Sequence, residues 1–449
     1  VSQAAQLLES VRRADWVRRT GRITRFIGLT VESQGPDVRL GEICEIHSRT
    51  GAAVTSAEVV GFAEGRVLLM PYEDLVAVSV GSEVVATGES AHVCAGPHLL
   101  GRIIDGFGQP LDGKPLSATG VARRPLHPAP INPLERGEVC EVIETGVRAI
   151  DTLLTIGRGQ RIGIFSGSGV GKSTVIGMLA RAVQADVTVI ALVGERGREV
   201  KAFVESGLAA EARAKSVVVA ATSDQPALVR RRAAFLATAI AEHFRDAGRD
   251  VCLVMDSVTR VAMAQREIGL ASGELPTARG YTPSVFALLP RLLERGGARG
   301  AGGSITALYT VLVEGDDLQD PISDTVRSIL DGHIVLSRPV AQRGRYPAID
   351  VTQSISRLTS TIVPEADLRT ITDAVKALAL YESSRDLIEV GAYKPGTNAA
   401  VDRAIRLVPQ IEQFMAQRPE ESEPRAAAMA RLRTILAAPA SPPKEVRPS

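Results

Sequence analysis

The chain has 449 residues, of which 45% are hydrophobic, 23% charged and only 4% aromatic. At roughly 150 residues per domain that length suggests about three domains, and the composition excludes a disordered or collagen-like chain. Lys and Arg number 52 against 51 Asp and Glu, a net charge of +1, so neither nucleic acid nor an acidic membrane is indicated as the main partner.

The first twenty residues read as a short amphipathic helix. Ala4, Leu7, Leu8, Val11 and Ala14 recur at helical spacing. A helix this short is marginal alone in water and is expected to dock on the body or on a partner. Glu9, Arg12, Arg13 and Asp15 interrupt it and leave no signal-peptide core. No stretch of the chain approaches the roughly 18 apolar residues of a membrane span.

Residues 21–94 carry short β-rich runs, at 22–28, 41–47, 57–62, 66–70 and 83–87, separated by Gly, Pro, Asp and Ser. That spacing predicts a small antiparallel barrel or sandwich. Residues 95–144 open on a segment holding Pro110, Pro115, Pro125, Pro128, Pro130 and Pro133. Such a segment excludes helix and central strand and reads as an extended linker.

From about Thr145 strands and helices alternate. Apolar runs at 161–165, 187–193, 217–221, 251–255, 305–313 and 334–337 predict a mainly parallel α/β sheet with helices on both faces, spanning 95–364 with its linker. Residues 365–437 show helical periodicity only, in three stretches, and 438–449 read as a disordered tail. The segment 295–303 holds five of the chain's glycines and reads as a mobile loop, either facing a pore or an ordinary surface connection.

Cys44, Cys94, Cys140 and Cys252 lie far apart and read as free thiols of a reducing cytosol. The six histidines are equally scattered, and no zinc site assembles from their spacing.

The strongest local signal is Ser166-Gly167-Ser168-Gly169-Val170-Gly171-Lys172-Ser173-Thr174, placed after a predicted strand and opening a predicted helix. Glycines let successive backbone N–H groups approach phosphate oxygens, and the helix N-terminus adds positive potential. Lys172 supplies a cation for the β- and γ-phosphates, and Ser173 a hydroxyl for Mg²⁺. The strict pattern begins with Gly where this chain has Ser166. Asp256 ends the run 251–255, where a carboxylate can hold Mg²⁺ or cap the following helix. Glu195 follows the run 187–193. It can polarise a water facing the γ-phosphorus, or pair with Arg196 or Arg198 on the surface.

At these residues the chain resembles the ATPases of bacterial type III protein export. The resemblance is carried by Gly194–Val200 (GERGREV), 256–260 (DSVTR), 263–270 (MAQREIGL), 280–286 (GYTPSVF), 315–321 (GDDLQDP), 329–338 (ILDGHIVLSR) and 346–350 (YPAID). It is densest over 158–357, thinner from residue 20, and closer to the flagellar enzyme than to the injectisome enzyme. The family is similar to the catalytic subunits of rotary ATP synthases. The resemblance implies a homohexamer with ATP and Mg²⁺ bound between copies. It implies Glu195 as the catalytic carboxylate, with Arg196 grouped beside it, and Arg357 as an arginine finger reaching a neighbour's site. Tyr346 would stack on adenine, unless it is simply a packed loop tyrosine. A second adenine-facing aromatic is expected near the C-terminal helices, where Tyr393 and Phe414 are available.

The same resemblance implies partners: a stator or regulator at the N-terminal helix, a central stalk protein, chaperone–substrate complexes at the C-terminal helices, and the membrane export gate. It implies a cytoplasmic protein, peripheral at the inner membrane. A rotary-synthase subunit that works only beside different chains is one alternative. A ring-shaped nucleic-acid motor is another, disfavoured because Phe26, Phe62 and Tyr72 are the few aromatics of residues 21–94.

Overall fold

The structure is a computed structural model that describes residues 18–48, 53–117, 119–300 and 302–437. The expected N-terminal helix falls mostly, and the tail wholly, outside the described residues; Thr20 already belongs to the first strand.

Six strands, β1 (Thr20–Ile27), β2 (Thr30–Gln34), β3 (Glu42–His47), β4 (Ala53–Ala63), β5 (Arg66–Pro71) and β6 (Glu83–Ser90), close into a barrel in the order β1-β2-β5-β4-β3-β6. Alternate residues point inward, so Ile23, Val31, Cys44, Ile46, Val59, Leu69 and Val84 fill a core of their own. Closure leaves no edge strand to pair with another chain. The barrel docks on the central domain through Glu58, which takes Arg231 at 2.5 Å and the Tyr72 hydroxyl at 2.9 Å.

The Pro-rich segment is more than a linker. β7 (His92–Ala95) pairs antiparallel with β9 (Ala122–Pro125). Between them β8 (Ile103–Ile104) lies parallel to the edge of the main sheet, with Ile104 fully buried. No proline stands between Pro97 and Pro110, so nothing within that stretch bars an edge strand.

The main sheet is built from β10 (Arg161–Ser166), β11 (Val187–Val193), β12 (Ser216–Ala221), β13 (Asp250–Asp256), β14 (Gly297–Ala298), β15 (Ser304–Leu312), β16 (Gly332–Leu336) and β17 (Ile349–Ser356). Its order is β17-β16-β10-β15-β13-β11-β12-β8, parallel except for β17 against β16 and the short β14 against β15. Both faces are covered, which is why β11 and β12 are apolar throughout. Val187, Val189, Ala191 and Val193 pack toward helices Ala227–Asp246 and Val258–Ala271. Ile190 and Leu192 pack toward helix Lys172–Ala182.

The C-terminal helices Glu365–Glu389, Ala399–Met415 and Arg425–Ala437 share that second core, with Leu378, Val408, Ile411, Phe414 and Leu432 continuous with Ile176 and Leu179. They are therefore packed onto the nucleotide-loop side of the sheet.

The glycine-rich stretch 295–303 differs from its expectation. β14 pairs with β15, Arg136 donates to the Gly296 carbonyl at 3.2 Å, and Gly303 donates to the Arg245 carbonyl at 3.1 Å. A Cβ at Gly303 would collide with the Arg249 backbone. At Gly303, therefore, glycine serves close approach. No helix among the described residues is long and apolar enough to cross a membrane.

Candidate active site

The Gly-rich loop turns from the end of β10 into helix Lys172–Ala182, as its sequence demands. Gly169 and Gly171 have φ of 79° and 94°, a left-handed backbone that costs glycine least. At Gly167 a Cβ would push the exposed Asp316 carboxylate aside. Val170 is buried in the core below and pins the loop. Its role toward a ligand is therefore confined to the backbone. Ser168, Ser173 and Thr174 are exposed, the last two on the first helical turn. Arg338 braces the loop from outside, donating to the Ser168 carbonyl at 3.2 Å and pairing with Asp316 at 2.8 Å.

Lys172 is 14% exposed and its Nζ donates to Glu195 Oε1 at 3.0 Å and to Asp256 Oδ1. Burial works against the ammonium, yet Asp256 and Glu195 outweigh it and hold the Lys172 pKa above its ordinary value. Asp256 also accepts the Thr310 hydroxyl at 2.7 Å. The parallel register explains the convergence. β10, β15, β13 and β11 are neighbours, so residues at their C-terminal ends meet in one crevice.

Two open alternatives close here. The cap of helix Val258–Ala271 is Ser257, which accepts from the Arg260 N–H, so Asp256 is free for the crevice. Glu195 pairs with Lys172 rather than with Arg196 or Arg198. Arg196 stands apart, 68% exposed and 3.9 Å from Glu199. Glu195 is aimed inward because Gly194 turns at φ 72° against the Arg260 side chain, leaving no room for a Cβ.

Tyr346 is 49% exposed and borders the loop: a Cβ on Gly171 would sit 3.7 Å from its ring. Its carbonyl accepts the Gln417 N–H at 2.9 Å. Gln417, buried, also donates to the Gly146 carbonyl at 2.7 Å and accepts from Arg148 N–H at 2.9 Å. Neither expected second aromatic joins Tyr346. Phe414 is buried beneath Arg431, and the Tyr393 hydroxyl is engaged by Asp402 at 3.0 Å.

Arg357 is not in this crevice. It is exposed, and its backbone N–H bonds the Asp331 carbonyl at 3.1 Å, beside Arg161 at the opposite end of β10. At about 3.3 Å per residue, Arg161 and Ser166 are roughly 17 Å apart. Among the described residues no carboxylate pairs with the Arg357 guanidinium, which reaches only the Arg327 carbonyl at 3.5 Å.

The residues fit a magnesium nucleotide rather than a resident metal. Among the described residues no three His, Cys, Asp or Glu side chains could hold an ion. Ser173 and Asp256 supply one hydroxyl and one carboxylate, the sparse protein set that Mg²⁺ takes when phosphates and water complete its shell. Thr310 and Gln417 were not singled out by sequence, and Arg260 stood there only as the last residue of the run 256–260. Their roles come from strand neighbours and packing, and only the polar Thr310 inside an apolar strand left a trace.

A Gly-rich loop opening a helix, with two carboxylates on adjacent parallel strands around its lysine, defines a P-loop nucleoside triphosphatase. Comparison places it within that class. Residues 146–356 match the nucleotide-binding domain of the ATP synthase alpha/beta family, 23–88 match that family's beta-barrel domain, and 363–434 match the T3SS EscN ATPase C-terminal domain. The flagellum-specific ATP synthase of Bacillus subtilis is 54% identical over 92% of this chain and 94% of its own. That of Salmonella typhimurium is 50% identical over 89% and 90%. The type 3 secretion system ATPase of Xanthomonas euvesicatoria is 48% identical over 89% and 90%. The assembled ATPase EscN of enteropathogenic E. coli superposes with a TM-score of 0.88 at 43% identity, covering 93% of this chain and all of that one. The chain belongs to the family of flagellar and type III secretion ATPases, and is an ATP-hydrolysing enzyme.

Proposed function

We propose that the chain is a flagellar-type export ATPase that works as a homohexamer, hydrolysing ATP at sites formed between neighbouring copies. The observation that carries it is the Lys172 ammonium held between Glu195 and Asp256 at the mouth of the Gly-rich loop. A γ-phosphate arriving there offers Lys172 a more highly charged partner. Lys172 then turns from Glu195, whose carboxylate is released to accept a proton from the attacking water. The backbone N–H groups of 167–172 and Lys172 hold the phosphates, and Arg357 of the next copy meets the charge that develops on the leaving side. Ser173 and Asp256 would hold Mg²⁺, which supplies charge neutralisation when bound with the nucleotide. Tyr346 offers an exposed ring face to adenine. Arg196, exposed beside Glu195, is assigned to the rim of the same site.

The flagellar assignment is supported by the 54% and 50% identities to flagellum-specific enzymes. The 48% match to a type 3 secretion system ATPase keeps an injectisome role as the second reading. EscN with its central stalk EscO superposes at a TM-score of 0.85 and 42% identity, which supports a stalk partner for this chain too. By the same kinship a stator protein meets the N-terminal segment, chaperone–substrate complexes meet the C-terminal helices, and the assembly sits at the export gate on the cytoplasmic face of the membrane. The chain divides for these tasks near residues 94 and 364, where Pro364 caps the first C-terminal helix.

Glu195→Gln tests the assignment. Phosphate release should fall by at least about 10²-fold, with binding of a non-hydrolysable ATP analogue retained. Release at the unaltered rate would remove Glu195 as the base.

A further inference from the structure

Arg357 poses a positional problem. Its guanidinium is exposed and lacks a carboxylate partner among the described residues, so its aim must come from its backbone. That backbone is clamped on both sides. The Arg357 N–H donates to the Asp331 carbonyl at 3.1 Å, and the same carbonyl accepts the Gln160 side chain at 3.2 Å. Asp331 is itself gripped. Its N–H donates to the Arg161 carbonyl at 2.9 Å, and its carboxylate accepts Arg161 N–H at 3.0 Å, Nε at 3.0 Å and the terminal guanidinium nitrogen at 2.9 Å. Two parallel bonds from one guanidinium fix a carboxylate in orientation as well as position.

The preceding residue is tied down independently. Ser356 Oγ donates to the Thr155 carbonyl at 2.7 Å and accepts from Gln160 at 3.1 Å. Opposite it stands Gly332, where a Cβ would lie 2.5 Å from the Ile355 carbonyl. Only glycine lets β16 and β17 approach this closely at the turn that bears Arg357. This cluster lies at the far end of β10 from the Lys172 crevice of the same chain.

We infer that Asp331, held by Arg161, is the positioning residue that aims Arg357 at the neighbouring copy's site. The inference rests on the reading of Arg357 as the cation supplied between copies. Arg161 also pairs with Glu294 at 2.6 Å and so stabilises this end of the sheet; what ties Asp331 to Arg357 is that its own carbonyl holds the Arg357 N–H. Displacing a catalytic cation by about 1 Å can cost on the order of 10²-fold in rate, so a backbone clamp of this kind matters most in kcat.

The test is steady-state hydrolysis by the full chain, comparing Asp331→Asn, Arg357→Ala and the double variant. Asp331→Asn is expected to lower kcat about 10- to 100-fold with KM for ATP within about twofold. Combined with Arg357→Ala it should add almost nothing to the loss from Arg357→Ala alone. Arg161→Lys, which keeps the charge and loses the paired bonds, should show the same kcat-only signature more weakly, and serves where the Asn variant folds poorly. If Arg357→Ala is inactive while Asp331→Asn and Arg161→Lys keep full kcat, or if the losses multiply in the double variant, the positioning role is overturned. If Arg357→Ala itself keeps full kcat, the reading of Arg357 fails and the inference falls with it.

Discussion

The two ends of β10 carry cations in opposite circumstances. At its C-terminal end Lys172 is buried between two carboxylates, and its charge is fully spoken for within the chain. At its N-terminal end Arg357 is held by its backbone while its guanidinium faces solvent without a carboxylate among the described residues. A self-sufficient site has no reason to place its second cation at the far end of β10, a strand roughly 17 Å long. On the proposed reading one chain holds two half-sites that face different neighbours, which makes assembly part of the chemistry.

Removing the cations one at a time probes this asymmetry most severely. Lys172→Ala should cut turnover by at least about 10³-fold and weaken nucleotide binding, since on the proposed reading it removes the phosphate ligand itself. Arg357→Ala should cut kcat by a similar roughly 10³-fold or more, yet leave nucleotide binding and the melting transition as they were, because it is exposed. Equal losses of binding in both variants would erase the distinction between the two ends.

A smaller effect refines the description of the buried end. If the face of the ring is what adenine meets, as proposed, Tyr346→Ala should raise KM for ATP about tenfold with little change in kcat, and Tyr346→Phe should restore it. A Phe variant as impaired as Ala would move the role from the ring to the hydroxyl.

A separate effect, on stability rather than turnover, concerns a buried carboxylate that, unlike that of Asp256, takes no cation among the described residues. Among the described residues the Asp151 carboxylate accepts only Thr145 N–H and hydroxyl and Gly146 N–H, at 2.7–2.8 Å. Burial pushes its pKa up from 3.8 to about 6, against those hydrogen bonds. Between these values the folded state keeps a proton that the unfolded chain has lost. Asp151 therefore contributes its full stability below about pH 4 and loses it as pH rises through 6, a change on the order of 3 kcal/mol. Denaturant unfolding of Asp151→Asn should show a flatter dependence over that window. An unchanged slope would place the proton elsewhere.

How much of this was legible in the sequence follows from how local each feature is. The Gly-rich loop and the apolar strands are written in contiguous residues, and the alternation of strand and helix sets the sheet. Glu195 and Asp256 were legible as strand-end carboxylates, but the alternatives of surface pairing and helix capping closed only when Lys172 and Ser257 were seen in place. Arg357 was marked by resemblance alone. Its anchor joins residues 170 positions apart, Arg161 and Asp331, which no periodicity connects. The glycines of 295–303 were read as mobility because composition does not distinguish freedom from close approach; at Gly303 the Arg249 backbone shows the second. The Pro-rich segment hid the two residues of β8 for a similar reason, since a strand that short has no pattern of its own.

Whether each site is completed by a second copy can be decided by mixing two inactive chains. Lys172→Ala keeps Arg357, and Arg357→Ala keeps the intact Gly-rich loop. Mixed in equal amounts where the unaltered chain assembles, they should regain ATP hydrolysis at up to about a quarter of the sites, where an intact loop meets an intact arginine. A mixture as inactive as its components, although the two chains demonstrably co-assemble, would show that the arginine does not act across the boundary between copies.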